Sequence, residues 1–185
     1  MILYGIKKAI ITELDATTGL PLEGGTTAVI KTAEEASLSP VFSEGNEEIL
    51  RNDTNILAIV RSDDLLYGYD FTFKDNQFDL DSARLLGGYE VEEGENGAIV
   101  KTPMLAQGST THPFKMELYV ASYEMDAIVG YVKITLNKCF GRFPEITIGK
   151  EFFAPEFEVK ARENSTANLP ILQIEEVTEL PKEEE

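Results

Sequence analysis

The chain has 185 residues, enough to bury one core of useful size and too few for two independent domains of ordinary dimensions. Apolar residues make up 43% of it and its glycines and prolines are scattered, a composition that folds and does not stay disordered. Acidic side chains outnumber basic ones 33 to 16, for a formal net charge of −17, so general attraction to phosphate backbones is disfavoured and a conventional DNA-binding role is set aside.

Taken from the N-terminus, the dominant periodicity is two, the period of an extended strand whose side chains alternate between faces. Residues 6–14 give a first strand signal, and 16–26, with Gly19, Pro21, Gly24 and Gly25, read as a loop. Residues 28–38 give a second strand. Residues 39–61 then form a segment with apolar pairs at both flanks and a charged, turn-rich middle, which predicts a long excursion. A hairpin of that size cannot bury both faces against its own small domain, so its apolar residues call for a neighbouring subunit. The competing reading is a surface helix over residues 47–51 followed by a strand over 56–61.

From 67 to 74 the pattern is strict, with Tyr67, Tyr69, Phe71 and Phe73 alternating with Gly68, Asp70, Thr72 and Lys74. One short helix follows over residues 79–86: an acidic cap, acids in the first turn, and Gly87 and Gly88 as the stop. Leu80, Ala83 and Leu86 share a stripe there that would dock on the sheet, with Phe78 as the entry staple. Residues 92–97 and 106–113 read as loops. Residues 114–124 and 132–137 alternate cleanly and pair as a hairpin whose connection, 125–130, is longer than a two-residue turn. Strands over 156–162 and 171–174 complete the set, and residues 175–185, with six Glu and one Lys, predict an acidic, flexible tail after a single domain spanning residues 1–174. The expected fold is mostly β with one short α-helix, a β-sandwich or open barrel.

Catalytic and ligand motifs are weak. His112 is the sole histidine and precedes a proline in a loop, and Cys139 is the sole cysteine, so neither a multi-histidine nor a cysteine-cluster metal site can be built and no internal disulfide can form. Asp75, Asp79 and Asp81 lack the glycine and terminal glutamate of a calcium loop and read as turn and cap residues. The glycine pairs do not complete a dinucleotide or phosphate-loop pattern. Glu47 and Glu48 are adjacent, and adjacent strand residues point apart, so they do not form an acid–base pair. The expectation is a chain that is not an enzyme and needs no cofactor or metal. No run reaches the eighteen apolar residues of a membrane helix, and the start, Met1-Ile2-Leu3-Tyr4, lacks the order of a signal peptide, which predicts a protein made in the cytoplasm.

The order of the central segment is informative: Pro40, Ser43-Glu44-Gly45, Glu47-Glu48-Ile49-Leu50-Arg51, Asn55-Ile56-Leu57-Ala58, then Asp63, Gly68-Tyr69-Asp70, Asp75-Asn76-Gln77-Phe78, and finally Leu85 and Gly87-Gly88. It resembles the major tail proteins, or tail tube proteins, of long-tailed non-contractile phages of Gram-positive hosts, best over residues 33–88 and with only strand order and length beyond. The resemblance implies a subunit of the phage tail tube fold, located in the virion tail. Such subunits assemble as hexameric rings stacked into a tube through which genomic DNA passes without sequence-specific binding. It further implies contacts with a tape-measure protein, a tail terminator and distal tail or baseplate proteins, and no membrane anchor. A long hairpin reaches a neighbouring subunit or ring in related tubes, and Val41, Phe42, Glu44, Glu47, Ile49, Leu50, Arg51, Ile56, Leu57 and Ile59 are the interface candidates here. Alternatives are the tube of a contractile tail or tail-like bacteriocin, and a monomeric β-sandwich module that would bind ligands through Tyr4, Tyr89 and Tyr123.

Overall fold

A computed structural model describes residues 2–77, 79–94, 97–102, 104, 112–142, 144 and 155–182. The chain is mostly β with one short helix. Its strands are β1 (Ile2–Glu13), β2 (Thr27–Ile30), β3 (Ala33–Ser43), β4 (Glu47–Arg51), β5 (Ile56–Arg61) and β6 (Leu65–Asp75). After α1 (Leu80–Gly87) come β7 (Glu90–Gly94), β8 (Gly97–Lys101), β9 (Phe114–Glu124), β10 (Ala127–Gly141), β11 (Glu156–Arg162) and β12 (Leu172–Val177).

Eight of these strands form one antiparallel sheet in the order β2-β1-β9-β10-β11-β6-β3, with β12 also on β10. The sheet curls until β1 comes alongside β3. One strand face turns inward, as strict alternation requires: Ala9 and Ile11 from β1, Phe71 and Phe73 from β6, Phe114, Met116 and Leu118 from β9, Leu136 and Cys139 from β10, and Phe157, Val159 and Ala161 from β11 meet in one core. Phe73 sits opposite Phe157 in the β6–β11 ladder, and both are fully buried. Helix α1 supplies Ala83, Leu85 and Leu86, all fully buried, and lies against β1, β2, β10 and β11. Asp79 caps it, its carboxylate accepting from the Ser82 amide at 3.0 Å, and Gly88 ends it in the left-handed conformation at φ 68°. Of the expected stripe, Ala83 and Leu86 are buried, with Leu85 added, while Leu80 stays half-buried and Phe78 lies outside the described residues.

Several boundaries depart from the sequence expectations. The strand expected over 28–38 is two strands: a bend at Lys31 and Thr32 carries the chain from β2, beside β1, to β3 at the other end of the sheet. That bend is fixed by the Thr32 hydroxyl donating to the buried Asp75 carboxylate at 2.5 Å and by the Asn76 amide donating to the Thr32 carbonyl at 3.1 Å. The loop expected over 92–97 is largely strand, because β7 and β8 pair as a separate hairpin with Val91 opposite Val100 and Lys101 ion-paired to Glu92. The connection expected over 125–130 shrinks to the turn Met125-Asp126. Met125 takes a positive φ of 53°, and the extra length is absorbed as a bulge between Ile128 and Gly130. The loop over 16–26 is a loop, while most of the one over 106–113 lies outside the described residues.

Part of the stretch expected as a flexible acidic tail, residues 175–185, is strand. Glu175, Glu176 and Val177 are rungs of β12 against β10, and the Lys8 ammonium donates to the Pro181 carbonyl at 3.0 Å, tying the segment after β12 back to β1.

Candidate assembly arm

β3 and β6 run side by side from the rung Ala33–Asp75 to the rung Ser43–Leu65, and β4 and β5 form a separate ladder from Glu47–Arg61 to Arg51–Ile56. Four residues on from Ser43 and four back from Leu65 is the pair Glu47–Arg61, so the register is the same on both sides of the interruption. The two ladders are halves of one ribbon, folded at the tip Asn52-Asp53-Thr54-Asn55. The segment at 47–51 is therefore strand and not helix: Glu47, Glu48, Ile49, Leu50 and Arg51 are all exposed and all paired to β5.

The joint between the halves has its own chemistry. The Gly45 amide donates to the Asp64 carboxylate at 2.7 Å, the Asn46 amide to the Ser62 hydroxyl at 2.7 Å, and the Ser62 amide to the Asn46 carbonyl at 2.9 Å. Side-chain acceptors thus take over where the ladder breaks. A Cβ on residue 45 would lie 1.9 Å from the Ser62 carbonyl oxygen, which is why a glycine stands there. At the base of the ribbon the Arg162 guanidinium stacks over the Tyr67 ring at 5.2 Å and pairs with Asp70 at 2.9 Å.

Beyond that joint the ribbon, hereafter the arm, buries nothing. Alternation and the cross-strand pairs assign two faces. One carries Ile49 and Ile59 between the Arg51–Ile56 pair at the tip end and the Glu47–Arg61 pair, 3.8 Å apart, at the root. The other carries Leu50, Ala58 and Val60 with Glu48, and Leu57 is the extra residue where the register shifts. Both faces are apolar and both are open, Val60 being 68% exposed, and Leu57 beside them is 64% exposed. The ten interface candidates are thus brought onto one ribbon. Val41 and Phe42 lie in β3 near its root, Glu44 at the joint, Glu47, Ile49, Leu50 and Arg51 in β4, and Ile56, Leu57 and Ile59 in β5. All are exposed except Val41, which is half-buried. Sequence reasoning missed Val60, Leu65 and Leu66, whose exposure follows from the ribbon leaving the sheet after Phe42 and which look like ordinary strand residues in the sequence.

A second apolar surface went unnoticed in the sequence. Ile2, Leu3 and Tyr4 at the start of β1 and Met125, Ile128 and Val129 at the β9–β10 turn are all exposed, Met125 by 94%. Tyr4 and Tyr123 meet edge to face there at 6.3 Å. Of the three tyrosines of the ligand-binding alternative, Tyr4 and Tyr123 come together and Tyr89 lies elsewhere, half-buried behind Gly87.

The remaining polar groups support structure. Cys139 is fully buried, and burial raises its thiol far above the ordinary range, which removes it as a nucleophile. His112 is exposed, with its imidazole 3.8 Å from the buried Glu13, whose carboxylate also accepts from the Thr26 amide and faces Arg84. On the outer face of β9, β10 and β12, Lys133 bridges Glu117 at 3.0 Å and Glu175 at 2.7 Å. Desolvation works against its charge, and these two carboxylates overcome it, leaving the ammonium held above the ordinary lysine value. Among the described residues no group of three His, Cys, Asp or Glu is placed to hold a metal, and no helix is long and apolar enough to cross a membrane. No protein-family model matches the chain, and no curated protein matches it.

Proposed function

We propose that this chain is a self-assembling structural subunit of the phage tail tube type, polymerising as stacked hexameric rings around a conduit for DNA in the tail of the virion. The single observation that carries the reading is the arm: a two-stranded ribbon, apolar and open on both faces, projecting from a body that has its own complete core. An isolated hairpin is marginal in water, and six large apolar side chains, Ile49, Leu50, Ile56, Leu57, Ile59 and Val60, are a standing cost unless another surface covers them. Covering half their area contributes on the order of 1 kcal/mol each before the costs of association. The outer edges of β2 and β3, unpaired among the described residues, are a second reason to expect self-association, because closure of a ring satisfies them without open-ended growth in the plane of the ring.

The charge suits a conduit. Six copies carry a formal charge of six times −17, about −100, which favours sliding of a duplex over adhesion to the wall. The likeness of residues 33–88 to major tail proteins falls on β3, the arm, β6 and α1, the same stretch that holds the projecting feature. A monomeric ligand-binding module gives the arm no task.

Negative-stain electron microscopy of the purified chain across a concentration series tests the proposal. Rings or tubes are expected. A species that stays monomeric at every concentration, with tail initiator components supplied, removes it.

A further inference from the structure

The arm and the apolar surface at the start of β1 match each other. A groove of about 690 Å³ runs beside the start of β1 and the β9–β10 turn, lined by Ile2, Tyr123, Met125 and Val129 and by the carboxylates Glu124 and Glu176. Glu124 pairs with Ala127 in the β9–β10 ladder, and Glu176 lies across β10 from Val120 through their common partner Val132. Four rungs along the strands and two strand spacings across them therefore separate the two acids, roughly 16 Å. The arm carries only two cations, Arg51 and Arg61. They share one face and are also four rungs apart, from Arg51–Ile56 to Glu47–Arg61, roughly 14 Å with the one strand spacing between β4 and β5. Between them lie Ile49 and Ile59, with Ile56 opposite Arg51, and between the acids lie Ser122 and Gly130, residues small enough to leave room for branched side chains. Among the described residues Arg51 has no carboxylate partner of its own. Beside the groove the outer edge of β1 has no strand partner from Ile2 to Lys8 among the described residues, since β2 covers only Ala9 to Thr12.

We infer that the occupant of this groove is the arm of a second copy of the chain, seated with Ile49, Ile56 and Ile59 inward and Arg51 and Arg61 against Glu124 and Glu176. The contact is heterologous, arm to groove, so each copy presents one unused arm and one unused groove and the series propagates or closes into a ring. This rests on the assembly reading above and names the surface that receives the arm.

Cysteine pairing and charge reversal test it together. Ile59→Cys and Val129→Cys chains, mixed under mild oxidation, should give covalent dimers containing one of each, at least about tenfold above either chain alone, with the buried Cys139 silent. Arg51→Glu/Arg61→Glu and Glu124→Lys/Glu176→Lys chains should each raise the concentration needed for assembly about tenfold, and placing all four changes in one chain should restore it. Dimers of Ile59→Cys with itself in equal yield would mean that arms meet arms, and would overturn the inference. So would assembled particles without the mixed dimer, or a fourfold reversal no better than the twofold ones, while the assembly reading would survive all three. A wild-type chain that forms no particle at all defeats both.

Discussion

Removing the arm at its joint should separate folding from the proposed assembly. Residues 46–62 can be excised and Gly45 joined directly to Asp63, because the last rung of the body, Ser43–Leu65, lies just before the joint and the two chains already touch there. The 21-residue connection between Ser43 and Leu65 becomes the four residues Glu44, Gly45, Asp63 and Asp64, a length that hairpins use routinely. None of the excised residues is buried, so no core contact is lost. If the arm opens independently, shortening the loop from 21 to four residues favours the folded state by about 1.5 kcal/mol, from (3/2)RT ln(21/4). If it is fully formed and coupled to the body, the change lies nearer to zero. Urea unfolding should therefore show a stability between unchanged and about 1.5 kcal/mol higher, and electron microscopy should show no rings or tubes. A loss of several kcal/mol would place the arm in the cooperative core. Normal assembly without it would refute the argument that its apolar faces drive association.

Other perturbations report on the body. Phe73→Ala removes a fully buried ring from the β6–β11 rung and should cost about 3–5 kcal/mol, lowering the Tm by roughly 10 °C, as read by calorimetry. The raised Lys133 ammonium stabilises the fold fully below the ordinary lysine value of 10.5, and that contribution is lost as pH climbs from there through the folded value. The stability advantage of the native chain over Lys133→Met should thus be full at about pH 8 and narrower at about pH 11.5, a comparison urea midpoints can make. The Cys139 thiol should resist aromatic disulfide reagents in the native chain and react only on unfolding; rapid reaction of the folded protein would contradict its burial.

The sequence reveals what period-two alternation can encode and hides what depends on distant partners. β9, β11 and α1 are legible because each presents one apolar face to one core, and their bounds emerge nearly intact. β2 and β3 merge in the sequence because both are strand-like. The bend that parts them depends on Asp75, over forty residues away, closing on Thr32. β7 and β8 are hidden for the opposite reason: they contribute almost nothing to the core, so acidic residues there look like loop. The arm is visible as an apolar run around a polar turn, yet its register emerges only once β3 and β6 are paired. The groove has no local signature at all, being assembled from the ends of β1, β9, β10 and β12.

The joint is what makes the arm more than a loop. Because the register on either side of Gly45 and Ser62 is continuous, the direction of the arm is set by the body, through β3 and β6, and not by its own weak ladder. Side-chain acceptors from Asp64 and Ser62 hold the interruption closed, and the 1.9 Å approach at Gly45 leaves no space for a larger residue to pry it open. A tether long enough to reach a neighbour would need none of this, since flexibility alone gives reach. Fixing the approach angle in advance lowers the entropy lost on docking, and the benefit recurs at every subunit added to a polymer. A body that spends a glycine and two polar side chains on aiming an otherwise uncovered apolar ribbon is built to present that ribbon to something, and the same chain supplies a groove whose two acids have a similar spacing.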